Sequence, residues 1–150
     1  MDSFNNANET NHLDRLNAGV LMQTLHMSLT RLELDRVEGK LEVRPDILNP
    51  YGYVHGGILA TLADTVAGVA AASRGGRSVT LSNTLTYLRP ATGRVIYCIA
   101  EPQRVGKTIS VFQVNLTNEE GALVATGLFT FHIDRTRSGP LRQEELPVKA

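Results

Sequence analysis

The chain has no tryptophan, a single cysteine and only 5% aromatic residues, and its charge sums to zero from fifteen basic and fifteen acidic side chains. Each shortage removes a class of protein. With Cys98 alone, neither an internal disulfide nor a cysteine-built zinc centre can form, and so sparing a use of thiols is expected of an intracellular, reducing compartment. No run approaches the roughly 18 apolar residues of a membrane-spanning helix. The Asn-rich start lacks a basic stretch followed by an apolar one. A cytoplasmic location without a membrane partner is therefore expected. Balanced charge also leaves no basic excess for nucleic acid.

What is present is ordinary for one soluble domain: 150 residues, 42% hydrophobic, enough to bury a core without staples. Residues 1–11, carrying Asn5, Asn6, Asn8 and Asn11 with little apolar material, read as a disordered N-terminus. Residues 12–134 read as the folded domain, and residues 135–150 as a polar C-terminal tail. Helical spacing of Leu13, Leu16, Val20, Leu21 and Leu25, broken by Gly19, predicts a short helix. Alternation on both sides of Val37-Glu38-Gly39 predicts a hairpin. From Gly57 to Ser73 the stripe Ile58, Leu62, Val66, Val69, Ala70 predicts a small-sided helix packed on several sides. Four strand-like runs follow, Ser78–Leu88, Arg94–Gln103, Thr108–Thr117 and Leu123–Ile133. An antiparallel meander covered by that helix, an α+β fold, is expected.

The acids are unevenly placed. Between Asp46 and Glu101 there is a single carboxylate, Asp64, inside the Ala-rich helix. Asp is a poor residue for a helix interior and a costly one to bury, so either it faces solvent or it is a functional acid in a cleft. What precedes the helix favours the cleft. Asn49-Pro50-Tyr51-Gly52-Tyr53-Val54-His55-Gly56-Gly57 sets glycines, an amide and an imidazole at a helix start, where first-turn N–H groups lack intrahelical acceptors and can hold an anion or a developing oxyanion.

Asn-x-x-Gly-x-x-His-Gly-Gly followed by Leu-Ala-Asp, with the later Leu85-Thr86-Tyr87-Leu88-Arg89-Pro90 and Val105-Gly106-Lys107-Thr108, resembles the hotdog-fold acyl-CoA thioesterases of the phenylacetate-pathway (PaaI-like) group over residues 13–133. The resemblance implies a sheet wrapped around one central helix, a homodimer with interface active sites and a tetramer made from dimers. It implies Asp64 as general base or nucleophile, the amide of Gly56 or Gly57 as the group polarising the thioester carbonyl, and His55 and Asn49 as residues shaping the carbonyl and water site. Thr80 matches a hydroxyl that helps to hold the attacking water. Acyl-CoA is the implied substrate, with no metal or other cofactor.

Coenzyme A carries three phosphates. Between Arg74 and Lys107 lie six basic residues and one acid, among which Arg89 and Lys107, with Thr108, are the candidate nucleotide contacts. The hydroxyls of Thr80, Ser82, Thr84 and Thr86 alternate with Val79, Leu81, Leu85 and Tyr87 and predict one hydroxyl-lined strand face. A hotdog hydratase, with His five positions after its Asp, fits less well because Val69 stands there. A non-catalytic acyl-thioester binder and an acyl-carrier-protein thioesterase remain the alternatives.

Overall fold

The computed structural model describes residues 3–141. Six antiparallel strands form one sheet: β1 (Met27–Glu33), β2 (Arg36–Glu42), β3 (Arg77–Tyr87), β4 (Val95–Val105), β5 (Ile109–Thr117) and β6 (Leu123–Asp134), in the order β1-β2-β4-β5-β6-β3. The expected hairpin is β1–β2. The meander is confined to β4, β5 and β6, because β3 crosses the sheet to pair with β6 at the far edge while β4 lies against β2. The intervening helix is long enough to carry the chain across.

That helix, α3 (Gly56–Ala71), touches all six strands. Leu59, Leu62, Ala63, Val66, Ala67, Ala70 and Ala71 are buried at i, i+3, i+4 spacing, with Ile58 and Val69 at the margin of the core. Small side chains let the sheet curl close around it. At Gly39 on β2, an added Cβ would lie 2.8 Å from Cγ2 of Val66, so a side chain there would push the helix off the sheet. Phe112, Phe129 and Phe131 close the core from β5 and β6.

The two sheet edges are treated differently. Helix α1 (Ser3–Asn17) and the short α2 (Val20–Leu25) replace the single helix expected over 13–25, separated at Ala18-Gly19. Helix α1 begins ahead of the boundary expected at residue 12. It docks along β1: the Asn17 side chain accepts from the Leu29 N–H at 2.7 Å and donates to the Leu29 carbonyl at 3.0 Å, and Glu9 accepts from the Leu32 N–H. The β1 edge is thus partly satisfied by side chains. The β3 edge pairs with β6 alone and exposes Val79 and Leu81.

A bulge in β3 between Thr80 and Ser82 corrects the expectation of a single hydroxyl face. Before it Ser78 and Thr80 point toward α3; after it Leu85 and Tyr87 do, and Ser82, Thr84 and Thr86 are exposed. One extra residue inverts the alternation that a straight strand would keep. The segment after β6, expected as the start of a polar tail, folds back onto the domain and buries Leu141. The remaining expected tail, 142–150, lies outside the described residues.

Candidate active site

The start of α3 is organised by its loop. Asn49 Oδ1 accepts from the N–H groups of Tyr51 and Tyr53 at 3.0 and 3.1 Å, which ties the loop into a turn. His55 is the N-cap, its Nδ1 accepting from the Gly57 N–H at 2.9 Å. A neutral imidazole used in this way carries its proton on Nε2. Of the two candidate amides, Gly57 is therefore engaged, and the Gly56 N–H has no acceptor among the described residues. The Gly56 carbonyl accepts from the Tyr87 hydroxyl at 2.8 Å. Burial pushes the Tyr87 hydroxyl up from its ordinary pKa, so it remains a donor.

This end of the molecule holds a cleft of about 400 Å³ lined by Asn49, Tyr53, Gly56, Tyr87 and Arg89, among others. Tyr87 belongs to the Leu85-Thr86-Tyr87-Leu88-Arg89-Pro90 motif, but strand alternation alone gives no sign of its contact with Gly56.

Two turns along α3 a second cleft, of about 570 Å³, contains Asp64 and Thr80. Asp64 is half-buried, and the Thr80 hydroxyl donates to its Oδ1 at 2.7 Å. The hydroxyl's single proton is thereby committed, so toward a water molecule Thr80 offers only lone pairs. Thr65 and Ser78 bond to backbone carbonyls, of Thr61 at 2.7 Å and Gly68 at 2.9 Å, and leave Asp64 alone. Arg77, Ser138, Gly139 and Pro140 also line this cleft. None of these four was singled out from the sequence, because three belong to the segment read as a tail.

The structure thus gathers the expected residues into two groups. Asn49, Gly56 and Arg89 share one cleft, with His55 and Gly57 at the same helix start; Asp64 and Thr80 share the other. Gly56 and Asp64 are eight residues apart, which is about 12 Å along a helix, too far for one carbonyl to meet both. Lys107 and Thr108 join neither group. Arg89 meets β6 at Val124, whereas Thr108 meets it at Ile133 and Lys107 is held through its carbonyl by Arg135. Nine strand residues, about 30 Å, separate these ends.

Comparison with known proteins bears on the family and the fold. The thioesterase superfamily profile matches residues 51–125, from the loop before α3 to the start of β6. Acyl-coenzyme A thioesterase 13 of Homo sapiens is 35% identical over 98 residues, covering 63% of this chain and 70% of its own length. The Escherichia coli PaaI protein of the phenylacetic acid degradation operon superposes with a TM-score of 0.80 at 22% identity, over 93% of this chain and 99% of its own. A Streptococcus mutans protein solved with acetyl-CoA bound is 29% identical with a TM-score of 0.70, covering 73% and 89%. By its sequence, its wrapped helix and its sheet order, this chain belongs to the thioesterase superfamily, a hotdog-fold thioester hydrolase.

Proposed function

We propose that the enzyme hydrolyses acyl-CoA thioesters, aryl or medium-chain, in a site shared between two copies of the chain. Asp64 and Thr80 of one copy face the Gly56 amide and Asn49 of the other. The observation that carries this reading is the separation of the two half-sites on one helix, each furnished for a different half of the reaction. The uncovered β3 edge, with Val79 and Leu81 exposed, is the natural seam for such a pair, since an unpaired strand otherwise invites indiscriminate association. Two such dimers would pair into the tetramer that the resemblance implies. The human relative is named an acyl-CoA thioesterase and the Streptococcus relative holds acetyl-CoA, which supports CoA as the carrier.

In this site the free Gly56 N–H at the helix start takes the thioester carbonyl oxygen and stabilises the negative charge that grows there, an effect of about 3 kcal/mol for one donor. Asp64 either accepts a proton from the attacking water or attacks the carbonyl carbon itself to give an anhydride that water then opens. Coenzyme A leaves as its thiolate. Arg89, in the cleft of Gly56, is placed for a phosphate of the CoA tail, and Lys107 and Thr108 reach the same nucleotide only from the second copy.

The test is thiol release, followed with DTNB, over a panel of aryl and medium-chain acyl-CoAs. Asp64→Asn is expected to abolish turnover while circular dichroism stays unchanged. A variant with near-normal kcat would overturn the assignment.

A further inference from the structure

We infer that the acyl half of this site ends on a cation, Arg77, and selects acyl groups that carry a carboxylate at the end remote from the thioester. The inference rests on the acyl-CoA reading above and adds a substrate class to it.

The Asp64 cleft has direction. Asp64 and Thr80 mark one end; one helical turn along, the Ser78 hydroxyl meets the Gly68 carbonyl; Ala72 lies a further turn on. Strand β3 runs beside α3 in the opposite sense, Tyr87 meeting Gly56, Thr80 meeting Asp64 and Ser78 meeting Gly68, so Arg77, three residues before Thr80, belongs to the far end. Between the ends Val69 and Phe131 supply apolar wall, and the Thr65 and Ser78 hydroxyls there are taken up by backbone carbonyls. Gly68 leaves the floor bare where a Cβ would lie 3.6 Å from the Phe131 ring.

Arg77 is fixed but not neutralised. Its Nε donates to the Ser138 carbonyl at 2.9 Å, which anchors the guanidinium to the segment after β6. That segment is itself anchored, by the Arg15 guanidinium on the Pro140 carbonyl, by burial of Leu141 and by the Gly139 backbone packed against Gly76. No carboxylate pairs with Arg77 among the described residues. Asp134, opposite it in the ladder, is taken by Thr136 and Arg137. With Nε engaged, the Nη edge remains for a planar two-oxygen acceptor, the geometry in which Arg binds carboxylate best.

The span sets the length of the acyl group. Three strand residues from Thr80 to Arg77 cover about 10 Å. An acyl chain of about six carbons with a terminal carboxylate fits between a carbonyl at Asp64 and the Nη edge.

The experiment compares adipoyl-CoA with hexanoyl-CoA, equal in length and differing in the terminal carboxylate, for the full chain and for Arg77→Met. The full chain is expected to favour adipoyl-CoA in kcat/KM by about tenfold or more, and Arg77→Met to erase that ratio. Affinities of Asp64→Asn and of Asp64→Asn with Arg77→Met for both CoA esters, by calorimetry, repeat the comparison without turnover. If hexanoyl-CoA is hydrolysed as well as adipoyl-CoA, or if Arg77→Met lowers both equally, the Arg77 assignment fails while the thioesterase reading stands. If neither ester is hydrolysed nor any other on the panel, the acyl-CoA reading fails, and the calorimetric ratio alone decides Arg77.

Discussion

His55 Nδ1 accepts the Gly57 N–H at 2.9 Å, and this one bond leaves Gly56 as the amide free for the carbonyl-donor role proposed above. A Gly-Gly pair at a helix start offers two orphan amides. The imidazole in front of it consumes the second and leaves the first.

A proline at Gly56 tests this division. Proline suits the first helical position, and His55 already has the extended backbone, φ −58° and ψ 132°, that a residue before proline adopts. Gly56→Pro therefore deletes the N–H while sparing the helix. An added Cβ would lie 3.4 Å from the Tyr87 ring, a tight contact that a small shift of the ring relieves. We expect kcat to fall by about 10²–10³ with the thermal midpoint little changed. His55→Ala should show the reverse balance: about 1 kcal/mol of lost capping and a smaller loss of kcat. Equal activity in Gly56→Pro and the parent would remove Gly56 from the mechanism.

Thr80 gives the second test. Its hydroxyl donates to Asp64 Oδ1 at 2.7 Å, and a hydrogen bond to a charged group contributes about 1.5–3 kcal/mol. Thr80→Val keeps the shape and loses the donor; Thr80→Ser keeps the donor. Thr80→Val is expected to lose about tenfold or more in kcat, with Thr80→Ser close to the parent. Equal losses in both would mean that strand packing, not the hydroxyl, is what matters at this position.

Much of this was legible in the residues themselves. The isolation of Asp64 among fifty-odd acid-free positions, the glycines before it and the 3.6-residue stripe of α3 are local patterns, and local patterns survive folding. Three things were not legible. The crossing of β3 to the far edge depends on which strand pairs with which, and alternation carries no partner information. The bulge at Leu81 flips the strand's faces without any glycine or proline to announce it. The chain after β6 looked like a tail because Ser138-Gly139-Pro140 is polar and turn-rich, yet Leu141 anchors it and Arg77 binds it. One buried leucine outweighs a composition average.

Mixing two inactive variants tests whether the site is shared. In a dimer of Asp64→Asn with Gly56→Pro, one of the two sites carries both lesions and the other carries neither. Co-refolding equal amounts should therefore restore roughly a quarter of the parent's activity, since half of the randomly formed dimers are mixed and each has one sound site. If Asp64 and Gly56 of the same copy served one carbonyl, every site would retain a lesion and no activity would return.

Cys98 supplies a prediction that also protects the assay. It is buried on β4 with 3% exposure, and burial pushes its thiol well above the ordinary value. The thiolate is the reactive form, so the native enzyme should give no DTNB signal of its own, and one thiol per chain should appear in guanidinium. The same shift acts on stability. In the unfolded chain the thiol ionises at about pH 8.5, whereas in the folded chain it stays protonated well above that. The folded state then binds the extra proton, so its advantage is complete below about pH 8.5 and declines as pH rises through and beyond it. Measured against Cys98→Ala by urea unfolding, the parent should lose relative stability between about pH 8 and 10. A pH-independent difference, or rapid native labelling, would show that Cys98 reaches solvent.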